Sequence, residues 1–179
     1  MRYQSEFLGA DCERALLAQC ACLPFKAFEF RGFQGKRRVV SFGWRYDFNG
    51  GGLQKADDMP VFLRRVRDKA AAFAQIAAAN LQQALVTEYH PGAAIGWHKD
   101  RSVFGDVIGL SLRSACMFRL RRRIDAKWQR ASLTIEPRSI YVLRGASRSE
   151  WEHSIPPVST LRYSVTFRSL VPAAGLPKP

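Results

Sequence analysis

The chain has 179 residues, of which 47% are hydrophobic, and this predicts one compact globular domain with a core of useful size. Basic residues outnumber acidic residues by 28 to 15, so the formal net charge is +13. No apolar run approaches the roughly 18 residues of a membrane span, and the N-terminus lacks a basic segment followed by an apolar run. We therefore expect no transmembrane helix and no secretory signal, and a cytoplasmic location.

The first part of the chain mixes short helices and strands. Asp11 predicts a helix cap, with the helix running to about Cys20. An extended segment over 25–33 should then lead to a turn at Gln34-Gly35.

A long aromatic strand follows this turn. Within 36–48 every second residue is apolar, so one face should carry Val40, Phe42, Trp44, Tyr46 and Phe48. Asn49-Gly50-Gly51-Gly52 ends the strand. Asp58 and Pro60 then predict the start of an alanine-rich helix that reaches about Asn80.

The remaining chain reads as short strands separated by turns. They are expected at 83–89, 107–112, 115–121, 132–135, 139–143 and 161–169. Many short strands without intervening helices indicate a sandwich or a jelly roll.

A candidate metal site involves two of the three histidines, His98 and His153. In Trp97-His98-Lys99-Asp100, residues i and i+2 at the end of a strand point to the same side, so His98 and Asp100 can reach one cation. His153 would add a second imidazole from a distant strand, which gives the ligand set of non-haem iron(II) oxygenases. A lone His-x-Asp is common by chance, and an ordinary surface or core histidine is the alternative.

The strand after His153 supports this interpretation. Its polar residues Arg162, Ser164, Thr166 and Arg168 alternate with Tyr163, Val165 and Phe167. Two arginines and two hydroxyls would be costly in a plain core. They suit a pocket for a small dianion, because arginine binds carboxylates bidentately. The alternative is a sheet whose polar face is exposed to solvent.

Basic residues cluster along the chain. The clusters are Lys36-Arg37-Arg38, Arg64 to Arg67 and Arg119 to Arg123. Such a charge favours nucleic acid through counterion release, while a generic basic surface or attraction to anionic lipid remains open.

The stretch from 85 to 170 resembles the AlkB family of nucleic-acid dealkylating oxygenases. The similar segments are Thr87-Glu88-Tyr89-His90-Pro91-Gly92-Ala93, Gly109-Leu110-Ser111-Leu112, Arg138-Ser139-Ile140-Tyr141-Val142-Leu143, Ser147-Arg148 and Arg162-x-Ser-x-Thr-x-Arg168. The N-terminal part is similar more loosely, as the nucleotide-recognition lid of the family is variable.

The resemblance implies a mostly β fold with flanking α structure. This fold is a double-stranded β-helix, or jelly roll, with N-terminal helices and a β lid. The expected single catalytic domain, 1–179, comprises an extension over 1–81 with the lid at about 25–50, a core over 82–170 and a tail over 171–179.

The resemblance also implies Fe(II), 2-oxoglutarate and dioxygen. Iron would be bound by His98, Asp100 and His153. The implied co-substrate pocket comprises Arg162, Arg168, Tyr89, Thr87, Ser164 and Thr166. Within it, Arg162 would hold the C5 carboxylate, Arg168 would contact the C1 end, and Tyr89 would donate a hydrogen bond. An N-alkyl carbon would be hydroxylated and released as an aldehyde, while 2-oxoglutarate becomes succinate and carbon dioxide.

A base must be flipped out or single-stranded to reach such a site. The candidate substrate-binding residues are Trp44, Tyr46, Arg37, Arg38, Ser102, Arg148 and Trp151. Either Tyr46 or Trp44 is expected near the base, with Phe42 and Phe48 packed. A packed rim position is the alternative for Trp151.

No particular base is implied, because Thr87, Ser102 and Ser164 differ from the common residues of the family. The predicted function is oxidative removal of alkyl lesions from DNA or RNA bases by a monomer. The alternatives are hydroxylation of a modified tRNA base, a catalytically silent nucleic-acid-binding module, and an oxygenase of proteins or small molecules, which the charge disfavours.

Overall fold

The computed structural model describes residues 1–30 and 32–171. Three helices are present in this part of the chain: Ala10–Ala21 (α1), Val61–Ala74 (α2) and the short Ala146–Ser149 (α3). A single 3-10 turn covers Ala78–Asn80. Of the predicted tail, all residues after Val171 lie outside the described residues.

The described strands are, in chain order, Arg2–Gln4 (β1), Lys26–Phe30 (β2), Phe33–Phe42 (β3), Trp44–Asp47 (β4), Gly52–Lys55 (β5), Leu81–Tyr89 (β6), Ile95–His98 (β7), Phe104–Leu112 (β8), Cys116–Ile124 (β9), Lys127–Ile135 (β10), Ile140–Leu143 (β11), Glu152–Ile155 (β12) and Arg162–Leu170 (β13). They form a seven-stranded sheet in the order β1-β11-β8-β13-β6-β3-β2 and a four-stranded sheet in the order β10-β9-β12-β7. Strands β4 and β5 form a separate hairpin. The predicted mostly β jelly roll with N-terminal helices is confirmed.

The core has two layers, one on each face of the seven-stranded sheet. On one face α1 and α2 bury Leu16 and Leu63 against sheet residues that include Val165. On the other face, Phe118 and Ile135 of the four-stranded sheet pack towards the seven-stranded sheet. The inner faces of the two sheets therefore enclose the second layer, where a site within a jelly roll is expected to lie.

Helix α1 and its flanking turn differ in detail from the prediction. The residue that caps α1 is Gly9, which has no side chain to offer, and Asp11 lies in the first turn. Gln34 and Gly35 lie inside β3, and the chain reverses near Gly32, whose φ is +80°.

The single strand predicted over 36–48 is wrong, because Gly43 interrupts it. This residue has φ +72°, and a Cβ there would lie 2.2 Å from the carbonyl oxygen of Gln82. Only glycine combines such a conformation with such a close approach. The chain leaves the large sheet at this point, and Trp44 enters the hairpin instead.

Helix α2 is shorter than predicted. It ends at Ala74 rather than near Asn80, because Gln75 adopts a left-handed conformation and closes the helix. No described helix is long and apolar enough to cross a membrane.

Candidate active site

The polar and apolar residues of β13 face opposite layers. Tyr163, Val165 and Phe167 belong to the layer beneath the helices. Arg162, Ser164 and Thr166 are buried, and by alternation they face the four-stranded sheet. The predicted alternation therefore corresponds to a buried polar wall, not to a solvent-exposed face.

Two adjacent strands bring His98 and His153 together. His98 ends β7 and lies directly opposite His153 of β12 in the antiparallel pairing. Their ring centroids are 4.3 Å apart. Asp100 follows β7 by two residues, and one potential ligand atom from each of the three residues lies within 4.8 Å of the others. These residues can therefore bind one metal ion on a common face.

Hydrogen bonding and burial orient the two imidazoles. Nδ1 of His98 lies 2.9 Å from the carbonyl oxygen of Gly96, so this nitrogen is the donor and Nε2 is left for a metal. His153 stacks on Phe118 at 5.3 Å between centroids. Burial, and then the nearby His98, lower the pKa of His153 to about 3. The neutral imidazole that binds metals is thus the form present at neutral pH.

Arg168 holds the carboxylate of Asp100. Its Nη2 and Nε lie 2.8 and 2.9 Å from Oδ1 of Asp100. Burial alone would raise the pKa of Asp100, but Arg168 and then His153 outweigh it and lower the pKa to about 2. Nη1 of Arg168 also donates to Gln83 at 2.9 Å. Arg168 therefore orients the candidate ligand Asp100. The resemblance did not imply this contact.

Arg162 is a buried cation with unused hydrogen-bonding capacity. Its side chain donates to Oγ of Ser111 at 3.0 Å, and its guanidinium lies 4.7 Å from the ring centroid of Tyr89. Within the described residues, Nε and Nη1 have no hydrogen-bond partner. An isolated buried charge is costly, and a carboxylate that accepts hydrogen bonds from this guanidinium would reduce the cost. The pocket thus fits one end of a small dicarboxylate.

The remaining predicted co-substrate residues line the same wall. The hydroxyl groups of Tyr89 and Ser164 are 3.4 Å apart. Thr87 pairs with Ser164 across β6 and β13, so both side chains point to the inner face. Thr166 is one alternation further along β13.

Tyr141 is a pocket residue that sequence reasoning did not single out. Its ring lies over Gly109, where a Cβ would come within 2.2 Å of the tyrosine ring. Burial and the nearby Tyr89 raise the pKa of Tyr141. A glycine within a strand often marks the close approach of another group, and here Gly109 lies opposite Tyr141. The sequence alone does not give the register that pairs these two residues.

Arg37 and Arg38 separate to opposite faces of β3. Arg37 donates to the carbonyl oxygen of Ala94 at 3.2 Å and lies 3.6 Å from the ring centroid of Phe28. Burial lowers the pKa of Arg37, and its contact with Ala94, the residue before β7, places it next to the strand that ends at His98. Arg38 instead pairs with Glu88 at 2.6 Å on the helix side, so the structure does not bring it to the site.

Tyr46, but not Trp44, joins the aromatic cluster beside the metal-ligand segment. Tyr46 packs on Phe48 and Phe104, and the guanidinium of Arg101, the residue after Asp100, lies 4.7 Å from its ring. Trp44 lies beneath Lys55 at 4.0 Å and lines a cavity next to α2. Phe42 is buried in the core and Phe48 packs within the cluster.

Arg148 binds main chain. It donates to the carbonyl oxygens of Arg101, Phe104 and Gly105 at 2.6, 2.5 and 2.9 Å. It therefore fixes the segment that follows Asp100, and Ser102 is exposed on this segment. Trp151 packs at the edge of the inner core with Arg122 over its ring at 5.0 Å, in agreement with the packed-rim alternative.

A cluster of two imidazoles and one carboxylate lies inside a two-sheet jelly roll that also buries an arginine with two guanidinium nitrogens unpartnered among the described residues. This combination is typical of an iron-dependent oxygenase that uses a small dicarboxylate co-substrate. The chain belongs to the 2OG-Fe(II) oxygenase superfamily, whose family model matches residues 31–168. Members of this superfamily are dioxygenases that use Fe(II), 2-oxoglutarate and dioxygen, and the described residues supply the ligand set for that chemistry.

Two relatives match by sequence. The chain is 28% identical over 145 residues to the alkylated DNA repair protein ALKBH8 homolog of Arabidopsis thaliana, which covers 68% of this chain and 42% of that protein. It is 30% identical over 102 residues to uncharacterized protein L905 of Acanthamoeba polyphaga mimivirus, which covers 50% of this chain and 48% of that protein. The chain thus spans less than half the length of either relative.

Solved structures share the fold at low identity. OsALKBH1 matches with a TM-score of 0.72 and 17% identity, over 93% of this chain and 95% of that chain. A prolyl-4-hydroxylase from Pseudomonas putida matches with a TM-score of 0.61 and 19% identity, over 96% and 92%.

Proposed function

We propose that this oxygenase removes alkyl groups oxidatively from bases in DNA or RNA. The observation that carries the proposal is the buried guanidinium of Arg162, whose Nε and Nη1 have no partner among the described residues, in the same jelly roll as the cluster of His98, Asp100 and His153. In this assignment the cluster holds iron(II), and Arg162 binds the distal carboxylate of 2-oxoglutarate. Residues 82–170 act as the catalytic core and the strands between 25 and 50 act as the lid.

The side chains of the pocket have different roles in binding. Arg162 would bind one carboxylate end of the co-substrate, and the hydroxyl of Tyr89 would donate to it from the adjacent strand. Arg168 keeps Asp100 ionised and aimed at the metal position. Iron(II) with bound 2-oxoglutarate supplies the activation of dioxygen that amino-acid side chains cannot provide.

Charge and the entrance to the pocket support a nucleic-acid substrate. The net charge of +13 favours a polyanion, and Arg37 lies near the site among aromatic side chains. Tyr46 lies beneath Arg101, which is in the segment that follows Asp100, and an unpaired base could stack there. A relative named as an alkylated DNA repair protein agrees with this choice.

The decisive experiment measures both products. Purified protein with iron(II) and 2-oxoglutarate is incubated with single- and double-stranded oligonucleotides that carry methylated or etheno-modified bases. Mass spectrometry follows the base while succinate and the released aldehyde are quantified. We expect loss of the alkyl group with one aldehyde released for each alkyl group removed.

His98→Ala is the matched negative control, because it removes one candidate ligand. His90→Ala is the positive control, since His90 lies on the helix side and hydrogen-bonds Glu88 at 2.8 Å. Activity that survives in His98→Ala would refute the iron assignment. Succinate formed with a hydroxylated base but no aldehyde would favour the hydroxylase alternative. No succinate with any nucleic acid would favour the silent binding module.

A further inference from the structure

The outer face of the four-stranded sheet carries arginines and tryptophans on the side remote from the metal-ligand cluster. In β9 the inward residues Phe118 and Leu120 are buried, so the intervening Arg119 and Arg121 point outward. Trp97 belongs to the same outer face, because both arginines lie over its ring at 5.1 and 4.4 Å. Trp97 directly precedes the candidate ligand His98 in the edge strand β7.

Arg121 lies between two indole rings. Its guanidinium carbon is 4.4 Å from the ring centroid of Trp97 and 4.3 Å from that of Trp128. The row of side chains from Trp97 through Arg121 to Trp128 runs across the sheet from β7 to β10, which spans about 14 Å at the usual strand spacing. Trp128 is 38% exposed at the far end. A tryptophan exposed to this extent beside arginines is available for stacking.

The charge of this face is strongly positive. Four outward arginines occupy it: Arg119 and Arg121, together with Arg123 and Arg130, which pair with Trp128 and Arg121 in the register of β9 and β10. The four strands contain one carboxylate, that of Glu152, which bonds Arg121 at 2.6 Å. Arg119 donates to Oγ of Ser154 at 3.0 Å. These contacts fix the two central arginines, and Arg123 and Arg130 extend the charge outward.

We propose that this face binds a single-stranded stretch of polynucleotide beyond the target nucleotide. The inference rests on the proposed function and extends it to a second binding surface. A strand that leaves the pocket over β7 passes from His98 on the inside to Trp97 on the outside. Alternating arginine and tryptophan then offers phosphates a cation and unpaired bases a ring, without reading sequence. A duplex keeps its bases stacked internally and could use only the cations.

The test measures binding of a labelled, unmodified single-stranded oligonucleotide of mixed sequence, about 20 nucleotides long, by fluorescence anisotropy. Trp128→Ala should raise the dissociation constant by about five- to tenfold, and Trp128→Phe should recover most of the affinity, since stacking needs a ring. Arg130→Gln should lower the slope of log affinity against log salt by roughly 0.7, the value for one phosphate contact on a single strand.

Arg14→Gln is the matched control, because it removes an exposed arginine from α1 on the helix side of the molecule, outside the basic clusters. It should leave both the affinity and the specific contribution of Trp128 unchanged. Circular dichroism melting of each variant establishes that the fold is intact.

Two outcomes would overturn the inference while the proposed function stands. One is wild-type affinity in both Trp128→Ala and Arg130→Gln. The other is an equal loss for a duplex of the same length, since the ring would then make no contribution specific to a single strand. Failure of the wild-type chain to bind any oligonucleotide would instead count against the proposed function itself. If the variants lost binding to vesicles of anionic lipid but kept their affinity for the oligonucleotide, the face would be assigned to lipid.

Discussion

Arg162 is the residue at which stability and function oppose each other. It is 2% exposed, yet two of its guanidinium nitrogens have no hydrogen-bond partner among the described residues. Sites that bind a ligand tightly often contain groups that destabilise the free protein. Arg162 should therefore destabilise the free protein and stabilise the protein that has bound its co-substrate.

Arg162→Met tests this opposition. We expect the KM for 2-oxoglutarate to rise about 100-fold, because a buried charge pair can no longer form. The melting temperature of the protein without co-substrate should not fall, since an apolar side chain of similar length removes an unpaired buried charge. Steady-state succinate formation and differential scanning calorimetry measure the two effects.

Gln83→Ala serves as the comparison for Arg162→Met, because it removes a neutral partner of Arg168 on the same wall. A large drop in the melting temperature of ligand-free Arg162→Met would contradict the assignment of Arg162 as an unsatisfied cation.

Gly109 should be the most sensitive glycine of the inner wall. A Cβ at this position would lie 2.2 Å from the ring of Tyr141. Gly109→Ala should destabilise the fold by about 1 to 3 kcal/mol, because the ring must move within a packed layer. Urea unfolding measures this change.

Two further variants check that steric explanation. Gly96→Ala is the control, since a Cβ there meets nothing within 4 Å. Combining Gly109→Ala with Tyr141→Leu should recover part of the loss. A double variant no more stable than Gly109→Ala would refute the steric explanation.

At the scale of elements, β3, β6 and β13 are joined on the helix side by a buried polar cluster. Glu88 is 4% exposed and accepts hydrogen bonds from Arg38, Tyr163 and His90 at 2.6, 2.8 and 2.8 Å. Burial raises the pKa of Glu88, but these hydrogen bonds outweigh it and the net pKa is lowered. The cluster ties β3 to β6 and β13 within the large sheet.

The lowered pKa gives this cluster a defined pH dependence. The folded state binds the Glu88 proton less readily than the unfolded state, where a glutamate titrates near pH 4.3. The stabilisation is therefore complete above that pH and is lost as the pH falls through the lower folded pKa. Glu88→Gln should cost about 1 to 3 kcal/mol at neutral pH, and its difference from wild type should shrink in acid.

Thermal melts between about pH 7 and pH 3 measure the effect, because this range covers the glutamate titration. Glu29→Gln, which changes an exposed glutamate of β2, should have little effect at any pH in the range. A difference for Glu88→Gln that grew in acid would show that the assigned direction is wrong.

Elements with a strong local pattern were predicted well. The alternation of β13 gave both its span and its two faces, because side-chain direction in a strand has a period of two. The strand over 36–48 was predicted as one element because its alternation continues through Gly43, whereas its break depends on the close approach of Gln82, a tertiary contact. Strands β7 and β12 have four residues each, too few for a periodic signal.

The candidate site was predicted to the extent that it depends on residue type and order. His98, Asp100, His153 and Arg162 were identified from the sequence; the fold brings the first three together and buries Arg162 on the polar wall of β13. The separation of Trp44 from Tyr46, the main-chain contacts of Arg148 and the place of Tyr141 could not be predicted. Each depends on which segments meet across the fold, and the sequence does not contain that information locally.

At the scale of the whole molecule, two sheets and a helical layer assign distinct tasks to distinct faces. The helical side stabilises the large sheet and contains the cluster around Glu88. The space between the sheets contains the polar wall and the candidate metal ligands. The separation explains why neighbours such as Arg37 and Arg38 have unrelated surroundings, one near the site and the other in an ion pair.

The position of β7 has a consequence for the dynamics of the entrance. This strand is four residues long and lies at the edge of its sheet, so its backbone has a neighbour on one side only. Short edge strands open locally at low free energy and exchange their amide hydrogens quickly. An ion shared between His98 and His153 would act as a crosslink between β7 and β12 at their paired residues. Metal loading would then slow amide exchange at the entrance and make the rigidity of this rim depend on the supply of iron.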